Sequence, residues 1–172
     1  MAWTTPRTWV AGEVVTAAYM NANVRDNTNH LYGSTWTTFS PTMTQSGSVA
    51  LTTATGRYHY VGYRCTLHIF LDPSGTGTIA NDIVIGNIPA AIAPRVSGEI
   101  SAGNQEGALG NGYYFDSGTG GYTGICFFAS SSTLKMKQAN QTANVGTAPS
   151  IAVAAADSMH LDITYETSAA ST

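Results

Sequence analysis

The chain is 172 residues long, 43% apolar and only 10% charged, with 7 basic and 10 acidic side chains and a net charge of −3. That length supports one domain, or one domain with a short arm. Lys135 and Lys137 are the only lysines, which argues against the clustered cationic face of a nucleic-acid binder and against a polybasic membrane anchor, and the apolar fraction argues against a disordered chain.

The first residues, Met1 to Arg7, lack a basic region followed by an apolar stretch, so they do not read as a signal peptide. No apolar run is long enough to span a bilayer. Both observations predict a protein made and retained in a cytosol or released by lysis. Trp3 to Glu13 reads as an extended arm anchored by Trp3 and Trp9; two exposed tryptophans imply that the arm docks on something. Thr16 is a plausible N-cap for a helix that runs to Tyr32, and Gly33 sits where a C′ glycine ends a helix. Met20, Val24, Asn27 and Leu31 are spaced 4, 3 and 4 apart. That spacing suits a short coiled-coil seam whose Asn sets register, or a single amphipathic helix lying on its own domain.

After Gly33 the pattern turns to period two. Tyr58 to Leu71 reads as one half-buried strand, with Cys65, Leu67, Ile69 and Leu71 alternating with Arg64, Thr66, His68 and Phe70. That parity puts His59 and His68 on opposite faces. Further strands are predicted over Ile79–Ile88, Val96–Ala102, Tyr113–Phe115, Tyr122–Ala129 and Thr133–Lys137. The cleanest alternation closes the chain: Met159, Leu161, Ile163 and Tyr165 against His160, Asp162, Thr164 and Glu166. Turn signals stand at Asp72-Pro73-Ser74-Gly75, Asn111-Gly112, Asp116-Ser117-Gly118 and Gly120-Gly121. Short strands at this spacing predict a mainly β fold, a jelly-roll-like antiparallel sandwich behind an N-terminal arm and one short helix. The boundaries fall at 1–33 for the arm and helix, 34–167 for the β domain and 168–172 for a loose tail.

Chemistry is sparse. Asp116-Ser117-Gly118 matches the aspartic-protease triplet, but that chemistry needs two carboxylates sharing a proton and the chain has one copy, in turn-like surroundings. His30, His59, His68 and His160 are scattered without metal-ligand spacing. Asp72, Asp82 and Asp116 are loop carboxylates a calcium ion would need, without an EF-hand pattern. Cys65 and Cys126 lie far apart and read as buried free thiols in a reducing compartment. Gly75-Thr76-Gly77-Thr78 leads into a strand and not a helix, so it is no phosphate loop. Asn140-Gln141-Thr142 is a formal glycosylation sequon. Tyr113, Tyr114 and Tyr122 lie among Asn, Asp and Gly, the residue types of a sugar-stacking site; aromatic packing within or between subunits is the plainer reading.

One segment carries a resemblance. Trp9, Gly12-Glu13, Val15-Thr16-Ala17, Asn21 or Asn23, and Arg25-Asp26-Asn27 resemble an opening segment of tailed-bacteriophage virion proteins, in which Trp precedes Gly-Glu-x-Val-Thr-Ala and Asn-x-x-x-Arg-Asp-Asn. The remainder is similar, more loosely, to β modules of phage fibres and decoration proteins: Gly56-Arg57-Tyr58 leads a long strand, Ile85 to Pro89 ends one in proline, and Asp162 to Glu166 closes the chain. The resemblance implies a non-enzymatic, homotrimeric structural protein of the virion, with no cofactor and no metal. It also implies other virion proteins as partners, without nucleic acid or membrane insertion. Shortness favours a capsid decoration or cement protein; the segment's usual company favours a minor tail or tail-fibre protein that contacts the host surface and its glycans. A glycan-cleaving enzyme would need paired carboxylates in a cleft, and the sequence pairs none at close spacing. The attachment and oligomer residues implied are Trp3, Trp9, Met20, Val24, Arg25, Asp26, Asn27 and Leu31, and the glycan contacts Tyr113, Tyr114 and Tyr122.

Overall fold

Period-two patterning becomes a single sheet. The structure, a computed structural model, describes residues 4–32, 36–95, 109–138 and 141–168. Among the described residues ten strands follow one another: β1 (Thr37–Phe39), β2 (Thr42–Gln45), β3 (Gly47–Val49), β4 (Leu51–Val61), β5 (Arg64–Pro73), β6 (Val84–Gly86), β7 (Gly110–Asp116), β8 (Gly120–Ser130), β9 (Thr133–Gln138) and β10 (Ser158–Glu166). They pair antiparallel in the order β1-β4-β5-β10-β7-β8-β9-β6-β2-β3. The sheet curls strongly into a half-barrel. A mainly β, antiparallel fold behind an N-terminal helix is what the alternation predicts. The pairing does not build the two facing sheets expected of a sandwich, because short β6 bonds both β9 and β2 and keeps the ladder continuous.

One face of the curl is the core. Leu67, Ile69 and Leu71 of β5, Leu161 and Ile163 of β10, Phe128 of β8, Leu134 and Met136 of β9, Met43 of β2 and Ile85 of β6 are buried in one cluster. Their polar neighbours along each strand point away, as a half-buried sheet requires. The closing strand alternates as its sequence predicts, from buried Met159 to buried Tyr165.

The stretch from Tyr58 to Leu71 is not one strand. Gly62 takes a φ of +62°, a left-handed conformation that glycine adopts at no steric cost, and the chain reverses into a β4–β5 hairpin. The turn restores parity, so His59 pairs with Thr66 and shares a face with His68 instead of opposing it. Asn111-Gly112 is not a turn either. Both residues lie inside β7, because a Cβ at Gly112 would collide with Met136, Cys126 and Leu161 in the core. The segment predicted as a strand from Ile79 to Ile88 turns at Ala80 (φ +63°) and yields only β6. The predicted strand Val96–Ala102 lies outside the described residues. Asp116-Ser117-Gly118 does form the β7–β8 turn, closed by Thr119 N–H on the Asp116 carbonyl at 3.1 Å. At the C-terminal end, Ser168 N–H reaches the Ala93 carbonyl at 2.9 Å; the rest of the predicted tail lies outside the described residues.

The helix forms over the predicted span, in three pieces: α1 (Ala17–Met20), a π turn (Asn21–Arg25) and α2 (Asp26–Tyr32). Thr16 caps it, its hydroxyl accepting the Tyr19 N–H at 3.3 Å.

Candidate functional site

Two surfaces stand out. The first is the arm and helix. The arm folds back along the helix and is held by two asparagine amides. Asn27, buried to 5% exposure, accepts the Thr4 N–H at 3.0 Å and donates to the Thr4 carbonyl at 2.9 Å. Asn23 accepts the Arg7 N–H at 3.3 Å. Asn23 and Asn27 are four residues apart, so both amides lie on the helix face toward the arm. Arg7 pairs with Glu13 and lies over the rings of Trp9 and Tyr19, whose centroids are 6.3 Å apart. Gly12, at φ +84°, makes the bend that lets the Glu13 carboxylate accept the Val10 N–H. The three helical pieces run into one another without a break.

Of the predicted attachment residues, Trp9, Met20 and Val24 are exposed. Arg25 pairs locally with Asp26 at 2.8 Å. Asn27 is bonded to the arm within the chain. Trp3 and the Leu31 side chain lie outside the described residues.

The second surface is the outer face of the sheet, opposite the core. The five longest strands, β4, β5, β10, β7 and β8, lie side by side there. Register sets their outward side chains in two adjacent rows: Thr55, Phe70, His160, Tyr113 and Thr123, then Arg57, His68, Asp162, Asn111 and Ile125. Phe70, His160 and Tyr113 make the centre of the first row aromatic, and Arg57, His68, Asp162 and Asn111 make the second hydrogen-bonding up to Ile125 at its end. Together they line a groove of about 920 Å³. Phe70 and His160 are in contact at 4.5 Å between centroids, and His68 Nδ1 lies 3.3 Å from the Asp162 carboxylate. At one end Trp36 packs on His59 and His68, with Arg57 over its ring at 4.9 Å.

Tyr113, 40% exposed, is the predicted glycan contact that reaches this groove. Tyr114 has no accessible surface and stacks on Tyr122 on the core side; strand parity turns both away from any ligand on the outer face. Sequence reasoning did not single out Arg57, Phe70 or Asp162 as site residues. The available signal was a bulky aromatic, Phe70, in the outward phase of a strand.

Inside the fold most polar groups are occupied; among the described residues His59 Nδ1 and Asn144 Oδ1 are buried without a hydrogen-bond partner. Asp157 is buried and accepts the Tyr114 hydroxyl at 2.5 Å, the Ser117 N–H at 2.8 Å and the Ala154 N–H at 2.7 Å. Burial, then the bond to Asp157, keeps the Tyr114 proton on its oxygen far above the usual range. Burial opposes ionisation of Asp82, but hydrogen bonds from Thr147, Lys135 and Asn144 outweigh it and hold the carboxyl below its ordinary value. Cys65 and Cys126 are buried and unbonded to each other. Burial pushes Cys65 up to about 11, against a hydrogen bond with Tyr165, and burial with the nearby Asp162 charge pushes Cys126 up to about 12. These thiols are packing residues, not nucleophiles. Among the described residues no group of three or more His, Cys, Asp or Glu side chains is placed to hold a metal ion.

No family model, no curated protein and no solved structure matches this chain.

Proposed function

We propose that this chain is a non-enzymatic structural protein on the surface of a tailed-phage virion, assembled as a homotrimer. The arm–helix unit is its attachment plug and the half-barrel is the module it presents. The observation that carries this reading is the plug. The residues that resemble the phage opening segment (Trp9, Gly12, Glu13, Thr16, Asn23 and Asn27) build one local structure that closes on itself. It leaves Trp9, Val10, Val14, Val15, Tyr19, Met20 and Val24 exposed. Apolar side chains gathered on one small unit mark an interaction surface. The low charge of the chain supports dense lateral packing, since few ions need to be stripped of water when neighbours meet.

The first placement is on the capsid, as a decoration protein that braces the shell. The groove on the outer sheet face favours a second placement, in the tail, facing the host. Antibody-gold labelling of intact particles tests both: label over heads supports decoration, label at the tail tip supports host contact, and unlabelled particles overturn the virion reading. Sedimentation of the purified protein tests the trimer.

A further inference from the structure

We infer that the groove across β4, β5, β10, β7 and β8 is a binding site for a neutral oligosaccharide, with sugar rings laid along Phe70 and Tyr113 and hydroxyl groups bonded to Asp162, Asn111 and His68. The inference deepens the host-facing placement and rests on it for biological meaning only; the groove's own chemistry carries the binding.

A sugar ring has two kinds of surface. Its C–H faces are apolar and its rim carries hydroxyls that donate and accept. A site for it therefore needs an aromatic platform beside groups that can do both. The two rows of the groove supply that pair side by side, because adjacent outward residues on one strand are two apart and fall in neighbouring rows: Phe70 beside His68, His160 beside Asp162, Tyr113 beside Asn111. The Tyr113 ring is held in place from below. A Cβ at Gly121 would strike it, so the ring lies over the bare glycine backbone. The Asp162 side chain is 68% exposed while one of its oxygens meets His68, which leaves the carboxylate open to hydroxyl donors.

Charge selects the class of glycan. The groove is lined by one guanidinium, Arg57, and one carboxylate, Asp162, with neutral side chains and two imidazoles between them. A polyanionic glycan would require a surplus of cations, so a neutral chain is favoured. Length selects an oligosaccharide. Five strands at about 4.8 Å spacing carry the groove across about 19 Å, more than a single ring covers. Its volume is that of a ligand site and not of a surface ripple.

The test is an array of neutral oligosaccharides (hexose, deoxyhexose and N-acetylhexosamine chains) together with acidic ones, probed with the full chain. The best neutral binder is then titrated against variants. Tyr113→Ala should weaken binding about tenfold or more, the loss of a ring platform being worth at least that in aromatic-anchored sites. Tyr113→Phe should retain most of the binding, and Asp162→Asn should weaken it. Gly121→Ala, which displaces the ring without removing it, should weaken it too. Tyr63→Ala, an exposed aromatic on the β4–β5 turn, should bind as the unaltered chain does. Melting temperatures of all variants separate a lost site from a lost fold. Failure to bind any neutral glycan, or preference for acidic ones, overturns the inference. So does dissociation of the oligomer by Tyr113→Ala or Phe70→Ala in sedimentation, which would make the face an interface between copies. None of these outcomes bears on gold labelling of particles, so the virion reading stands or falls separately.

Discussion

The side-chain amide of Asn27 binds both the N–H and the carbonyl of Thr4, 23 residues earlier in the chain, at 3.0 and 2.9 Å. An asparagine amide reproduces the donor–acceptor pair of a backbone unit, so one side chain ties the arm to the helix as a strand would. The arm is thereby ordered by the helix it precedes.

Asn27→Ala should release the arm. Two partly buried hydrogen bonds contribute about 1 kcal/mol each, so the cost is about 2 kcal/mol and confined to this unit. The amide protons of Thr4 and Arg7 should exchange roughly thirtyfold faster, while the melting temperature of the sheet stays put, since distant independent sites do not couple. Unchanged exchange at Thr4 would mean that the arm is held by its aromatic contacts alone.

Gln45 is the corresponding clamp inside the half-barrel. Its amide donates to the carbonyls of Asn81 at 2.9 Å and Ile151 at 2.7 Å and accepts the Val153 N–H at 2.9 Å. Gly77 and Gly146 lie against it, and a Cβ at either would press on the amide. Gln45→Leu keeps the bulk and orphans three buried backbone groups, each costing about 1–3 kcal/mol. A loss of about 3 kcal/mol or more in urea unfolding is expected, with the dependence on urea unchanged. A loss under about 1 kcal/mol would show that water replaces the amide.

Tyr114→Phe removes the hydroxyl from Asp157 and leaves its two backbone N–H bonds. A hydrogen bond to a charged partner contributes about 1.5–3 kcal/mol, and that much destabilisation is expected by thermal melting. Binding to the outer groove should be unaffected, because Tyr114 faces the core.

The buried thiols set an alkaline limit. Both have pKa values raised in the folded state, to about 11 for Cys65 and about 12 for Cys126. A raised value means that folding favours the protonated form. The stability linked to it is complete below the ordinary thiol value near 9 and is lost as pH rises through 11 to 12. Tyr114 acts in the same sense. Unfolding midpoints should therefore hold steady through neutral pH and fall above about pH 9. Neither thiol should react with a thiol reagent until the chain unfolds; prompt labelling of the native protein would contradict their burial.

Asp82 sets the opposite limit. Its folded value lies below the ordinary carboxyl value of 3.8, so its contribution is present above that value and lost as pH falls through the lower one. The stability difference between the native chain and Asp82→Asn should shrink on acidification from about pH 6 to below about pH 4. A difference that persists in acid would assign the effect to geometry and not to charge.

Much of the architecture is written in local pattern. Thr16 is a capping side chain ahead of an uninterrupted helical run, and the helix starts there. Met159 to Tyr165 alternates, and β10 buries that set. Asp116-Ser117-Gly118 reads as a turn and is one. These features depend on neighbours a few residues away, which is the range over which side-chain period and backbone preference act. The β1–β3 strands escaped because three- and four-residue Thr- and Ser-rich pieces carry too few periods to register, and Asn111-Gly112 misled because the reason for its glycine lies in β8, β9 and β10.

What the sequence determined by itself is the class: mainly antiparallel β with a helix at the N-terminus. What only the tertiary structure decided is which faces meet. The reversal at Gly62 placed His59 and His68 together, β6 joined two ladders into one sheet, Asn27 turned inward to the arm, and four strands brought His68, Phe70, Asn111, Tyr113, Ile125, His160 and Asp162 into one groove. The physical reason is range. A period names the face of a strand, but the neighbour across that face comes from register, and register is set by contacts up to a hundred residues apart in the chain.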